Sequence, residues 1–229
     1  MRNRMVLSLA VILLSSVAHA KKPVTAMEFA PGEFRQRFCF DGETFDTTNR
    51  AGVSMQAFAN FYCPFMEAQE TTDPVRAAEL FGRILDVIDP DISWEDNLEI
   101  PEPAAALHAH FTGVDNFIAW AGKVPNGASQ EGWDVRALLV YGMDAAHDTV
   151  GVLADEDVGV HAICDGVKTQ VGFYSTRALM NWTSSESGQI TRYQGYYHRI
   201  DDIIKLFRER REFVKRQEKA GRSCNRIIS

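Results

Sequence analysis

Apolar residues recur along this chain with two periods, helical in its first half and alternating in its second. Ser54 is placed to cap a helix that sets Met55, Phe58 and Tyr62 on one side, and Pro64 interrupts or restarts it as the first residue of a new turn. Asp73-Pro74 is a second start signal, with Asp as cap and Pro at the first helical position. Leu80, Phe81, Ile84, Leu85 and Ile88 then follow at helical spacing until Asp89-Pro90. Residues 92–98 alternate as a half-buried strand does, and Pro101 and Pro103 break the run. Gly113 precedes a short helix with Val114, Phe117, Ile118 and Ala121 on its inner side.

From Trp133 the period becomes two. Residues 135–143, 149–155, 171–183 and 190–198 read as long strands, and 158–163 can continue the second past a bulge. Turn residues separate them: 142–148, Asp165-Gly166 and Glu186-Ser187-Gly188. A last helix starts near Asp201 and buries Ile203, Ile204, Phe207 and Val214. With no internal repeat and no low-complexity linker, one domain over 54–207 is expected. An extended lead-in (21–53) precedes it, and a basic helix and tail (208–229) follow.

This order of elements carries a resemblance. Helices come first, then a short strand with Asp91-Ile92-Ser93-Trp94-Glu95-Asp96, then His110-Phe111-Thr112-Gly113-Val114-Asp115-Asn116-Phe117 leading into a small helix. Near the end, Ser187-Gly188-Gln189-Ile190-Thr191-Arg192-Tyr193 forms a hairpin that runs into Tyr196-Tyr197-His198 and a closing helix. Over residues 74–207 this layout resembles the nuclear transport factor 2-like superfamily, whose members include SnoaL-like cyclases and ketosteroid isomerases. The resemblance implies an α+β fold in which a curved antiparallel sheet wraps around N-terminal helices to form a cone with an apolar pocket at its wide end. It also implies a homodimer through the open sheet face, which needs cover. His198 stands where many relatives carry Asp.

The ends and the charge add a compartment. Arg2 and Arg4, a largely apolar run over 5–17 and Ala18-His19-Ala20 make a cleavable secretory signal with cleavage after Ala20. The run is too short for a membrane span, which needs about 20 residues, so no transmembrane segment is expected in the mature chain. The net charge of −7 becomes −9 once Arg2 and Arg4 are removed, which argues against a nucleic-acid partner. Lys205 to Arg226 is locally basic and reads as a solvated helix carrying i,i+4 pairs such as Arg208 with Glu212. In an oxidising compartment the four cysteines, Cys39, Cys63, Cys164 and Cys224, are disulfide candidates with three complete pairings open.

Chemistry is the least legible layer. Asp96 shares strand parity with Trp94 and Leu98, so it faces an aromatic wall if the strand is buried there, and burial would raise its pKa into the range of a general base. His198 ends the last strand, and an imidazole is the side chain that exchanges a proton near neutral pH. These two are the catalytic candidates. Trp94, Tyr141, Tyr174, Trp182 and Tyr196 are the candidate pocket lining. His108 and His110 would share one side of an extended segment, but no third ligand accompanies them, so no metal is expected. No phosphate loop, nucleophile elbow or Cys/His pair is present in the sequence, and no cofactor is expected. Two readings remain open. One is an exported protein that binds a small apolar ligand or docks as a dimer. The other is a cofactor-free isomerase, cyclase or hydratase using Asp96 or His198.

Overall fold

A computed structural model describes residues 25–96, 109–121, 133–198 and 200–224. In chain order the elements are β1 (Thr25–Glu28), a one-turn helix α1 (Glu33–Arg35) that widens into a π-turn over Gln36–Phe40, α2 (Arg50–Glu70) and α3 (Pro74–Leu85). Then follow β2 (Ile88–Asp96), β3 (His110–Thr112), α4 (Val114–Ala121), β4 (Trp133–Ala146), β5 (Thr149–Cys164), β6 (Val167–Ser184), β7 (Ile190–Tyr197) and α5 (Ile200–Lys219). The seven strands form one sheet in the order β1-β4-β5-β6-β7-β2-β3, antiparallel throughout except for the parallel pair β2 and β7. The fold is α+β, a curved, unclosed sheet around helices, as the resemblance implies.

Helix α2 is the post around which the sheet curves. Asn49 caps it, its side-chain oxygen accepting from the Gly52 N–H at 2.9 Å. Ser54, expected as the cap, lies a turn inside, buried, with its hydroxyl 2.9 Å from that of Ser184 on β6. The helix also runs straight through Pro64, which costs it one backbone hydrogen bond. Its burial on nearly every side offsets that loss: Met55, Phe58, Phe61, Tyr62 and Met66 are all inside, and the Tyr62 hydroxyl donates to the Leu138 carbonyl of β4 at 2.6 Å. Asp73 caps α3 as expected, accepting from the Val75 N–H at 2.9 Å. On α4 the inward residue is Phe117, whereas Ile118 is exposed.

The lead-in is tied into the same core. Strand β1 pairs with β4, Phe29 and Phe34 are buried against α2, and Cys39 is bonded to Cys63. Strands β5 and β6 are longer than their sequence pattern predicts because no break falls at 156–157, and Asp165-Gly166 closes the hairpin with φ of 52° and 77°. Helix α5 lays Ile203, Phe207 and Val214 on the far half of that hairpin. It is held there by buried Arg210, whose Nε donates to the His161 carbonyl at 2.6 Å, and by the Cys164–Cys224 disulfide just beyond its end. Both disulfides fit an oxidising compartment. No described helix is long and apolar enough to cross a membrane.

Candidate functional site

The aromatic interior begins where β2 and β7 run side by side. Trp94 of β2 stacks on Tyr193 of β7 with ring centroids 4.1 Å apart, and Trp182 of β6 lies 4.6 Å from the same tyrosine. Phe61 of α2 stands 4.8 Å from Trp182, and Trp120 of α4 stands 5.2 Å from Trp94. Such surroundings demand that any polar atom be partnered. Four are not: the indole nitrogens of Trp94, Trp120 and Trp182, and Oδ1 of Asp96, have no hydrogen-bond partner among the described residues.

Asp96 is the last residue of β2 and only 7% exposed. Its register partner is Gly195, and that glycine makes room for the carboxyl. A Cβ at Gly195 would stand 2.7 Å from Asp96 Oδ1 and 2.4 Å from the Tyr193 hydroxyl, so both groups close over the bare glycine Cα and would collide with any side chain there. The Tyr193 hydroxyl is 2.6 Å from that of Tyr197. Burial, followed by the charge of Glu156, pushes the Asp96 carboxyl up to about 8. The hydroxyls of Tyr193 and Tyr197 and the Ala109 N–H draw it back, yet none reaches Oδ1 in hydrogen-bond geometry. Burial likewise raises both tyrosines well above their ordinary range.

A second carboxyl faces the same space. On β5 the inward row is Val150, Val152, Ala154, Glu156, Val158 and Val160, every member fully buried and apolar except Glu156. Its neighbours face outward, Asp155 onto Arg177 at 2.9 Å and Asp157 onto the Ser175 hydroxyl. Glu156 keeps some exposed surface while being walled by protein, and burial with the Asp157 charge raises it to about 7. Asp96, Tyr174, Tyr193 and Tyr197 all feel its charge.

Of the residues picked out in the sequence, Trp94, Trp182 and Asp96 lie together in this interior, and Tyr174 lines its α5 side in a cluster with Ile203 and Phe207. Tyr141 and Tyr196 do not join them. Tyr141 sits at a bulge of β4 under the Arg177 guanidinium, 5.9 Å from its ring, and Tyr196 is 38% exposed on the outer face. The β6–β7 register shifts at Thr183/Ser184, which carries Tyr193, Gly195 and Tyr197 inward instead. His198 is exposed just past β7, where its carbonyl accepts from the Thr176 hydroxyl. His108 lies outside the described residues, and among those described no three His, Cys, Asp or Glu side chains gather as a metal would require. Tyr193, Tyr197 and Glu156 were missed in the sequence. Glu156 had a signal, since it continues the parity of Val150, Val152 and Ala154.

No family model and no curated protein matches the chain. Several solved structures are similar to it. A nuclear transport factor 2-like protein from Burkholderia xenovorans LB400 aligns over 70% of this chain and 96% of its own, at 14% identity and a TM-score of 0.44. A candidate SnoaL-like polyketide cyclase from Jannaschia sp. CCS1 aligns over 69% and 94%, at 12% identity and 0.47. An LEH-like epoxide hydrolase of M. tuberculosis aligns over 70% and 92%, at 11% identity and 0.42. Likeness at this level says nothing about chemistry, which rests on the residues of this chain.

Proposed function

We propose that this is an exported protein that binds a small, largely apolar molecule in its aromatic interior. The polar end of that molecule lies against Asp96, Tyr193 and Tyr197. The observation that carries the reading is Asp96 Oδ1, buried, without a partner among the described residues, and converging with the Tyr193 hydroxyl over Gly195. Leaving such a group unpaired costs on the order of 1–3 kcal/mol, and a bound hydrogen-bonding ligand recovers it. The three indole N–H groups without acceptors among the described residues support the same reading. Export is supported by the leader sequence and by the two disulfides. The test is native mass spectrometry of the mature chain purified from its own host. A retained small molecule, lost in Gly195→Val, is the expected result. A bare chain that also fails to take up any apolar probe would overturn it.

A second reading is favoured by the titration range of the two carboxyls. A carboxyl near 8 beside one near 7 can hand a proton to and from a ligand at neutral pH, the work of a cofactor-free isomerase, cyclase or hydratase. In this reading Asp96 touches the ligand, while His198 is exposed and distant in role. We propose in addition that two copies pair through the outer sheet face, where Leu153, Leu179 and Tyr196 are exposed and adjacent across β5, β6 and β7.

A further inference from the structure

The interior is unusual in its charge rather than in its shape. Two carboxyls face it, and among the described residues neither Asp96 nor Glu156 has a lysine, arginine or histidine as partner; the charges acting on them there are those of other acids. Interiors ordinarily avoid this, because a buried charge without a counter-ion is strongly unfavourable. The basic residues that might have served are committed elsewhere. Arg177 pairs with Asp155 on the outer face, Arg192 with Glu95, and Arg210 binds the His161 carbonyl behind α5. What surrounds the carboxyls instead is aromatic: Trp94, Tyr193 and Tyr197 near Asp96, and Tyr174 with Tyr197 near Glu156. Aromatic faces beside carboxylates are the surroundings that hold an organic cation, since ring quadrupoles and carboxylates both attract positive charge.

We propose that the ligand is an apolar amine, bound as its ammonium ion, with Glu156 and Asp96 as its counter-charges and the aromatic side chains as its walls. The proposal rests on the pocket reading above and specifies the ligand's charge. It accounts for three facts together: the single charged residue in the inward row of β5, the Asp96 oxygen left without a partner, and the absence of any basic partner for either carboxyl among the described residues. The proton balance follows. An ammonium ion that arrives while Glu156 and Asp96 are protonated displaces their protons to the buffer, and ion pairs form between R–NH3+ and the two carboxylates. The groups facing Glu156 are Asp96 from β2, Tyr174 from β6, and Tyr193 and Tyr197 from β7, with Asp157 adjacent on its own strand. Those facing tyrosines stay protonated at neutral pH, so the two carboxyls govern the pH dependence.

The experiment compares three probes of one shape and different charge: 2-phenylethylammonium, 2-phenylethanol and 3-phenylpropionate. Each is titrated into the full mature chain, with intrinsic tryptophan fluorescence as readout, from pH 6 to 8.5. The ammonium ion keeps its charge across this range, as a lysine does. It is expected to bind about tenfold more tightly than the alcohol at pH 8, to weaken as pH falls through 7, and to release protons as measured by calorimetry in two buffers. Glu156→Gln is expected to abolish the preference for the amine, with a near-ultraviolet circular dichroism spectrum like the parent protein's showing that the fold is intact. Equal or tighter binding of the alcohol or the carboxylate overturns the amine proposal and leaves the pocket standing. An unchanged preference in Glu156→Gln also overturns it. Failure of all three probes overturns the pocket reading and the amine proposal with it.

Discussion

Replacing Asp96 by Asn should change how this protein's stability depends on pH more than any other single substitution. The carboxyl moves from its ordinary 3.8 to about 8 on folding, chiefly through burial. Between those values the folded chain holds a proton that the unfolded chain has released, so stability falls as pH rises across that window. Four pH units at about 1.4 kcal/mol each set a ceiling of about 5–6 kcal/mol for the loss between pH 4 and pH 8. Asparagine has the same shape and no proton to lose. Asp96→Asn should therefore match the parent protein near pH 4.5 and become several kcal/mol more stable than it near pH 8.5, keeping only the shallower slope from Glu156. Urea denaturation of both proteins with disulfides intact, at half-unit steps from pH 4.5 to 9, measures the difference directly. Parallel curves for the two proteins would refute the reasoning, because they would mean that Asp96 titrates as an ordinary surface carboxyl.

Other outcomes follow from the same geometry. Gly195→Ala puts a methyl group 2.4 Å from the Tyr193 hydroxyl and 2.7 Å from Asp96 Oδ1, so it should lower the melting temperature and abolish binding of apolar probes in fluorescence titration. The Cys164→Ser, Cys224→Ser double variant opens a loop spanning a sequence separation of 60 and should cost about 4 kcal/mol in chemical denaturation. Its amide exchange should rise along α5 first. Leu179→Glu places a charge in the middle of the exposed apolar row on β6, and light scattering should show a smaller particle than the parent protein gives. The parent running as a monomer would refute pairing through that face.

Periodicity made the architecture legible. The strand runs after Trp133, the Asp73-Pro74 helix start and the Asp165-Gly166 turn all have their reasons within a few residues of chain, so the pattern revealed them. Elements whose reasons are distant were less visible. Pro64 sits mid-helix because α2 is enclosed by the sheet, and enclosure leaves no local trace. Asp96 could be picked out because Trp94 shares its parity on one strand. Tyr193 and Tyr197 could not, because a register shift opposite Ser184 decides which face of β7 turns inward, and that shift is a property of the pairing with β6. The same shift carried Tyr196 to the surface. Glu156 was hidden because the strand pattern over 149–155 resumes at 158–163 only past a bulge, where the strand in fact continues.

The central claim is that Asp96, Tyr193 and the tryptophans around them form the seat of a bound molecule. A crystal structure of the mature protein isolated from its own host tests it most directly. The account predicts a compact organic molecule against the aromatic side chains around Asp96, with a polar atom within hydrogen-bond distance of Asp96 Oδ1. A map with no such molecule, and with Oδ1 bonded to the protein itself, would contradict it.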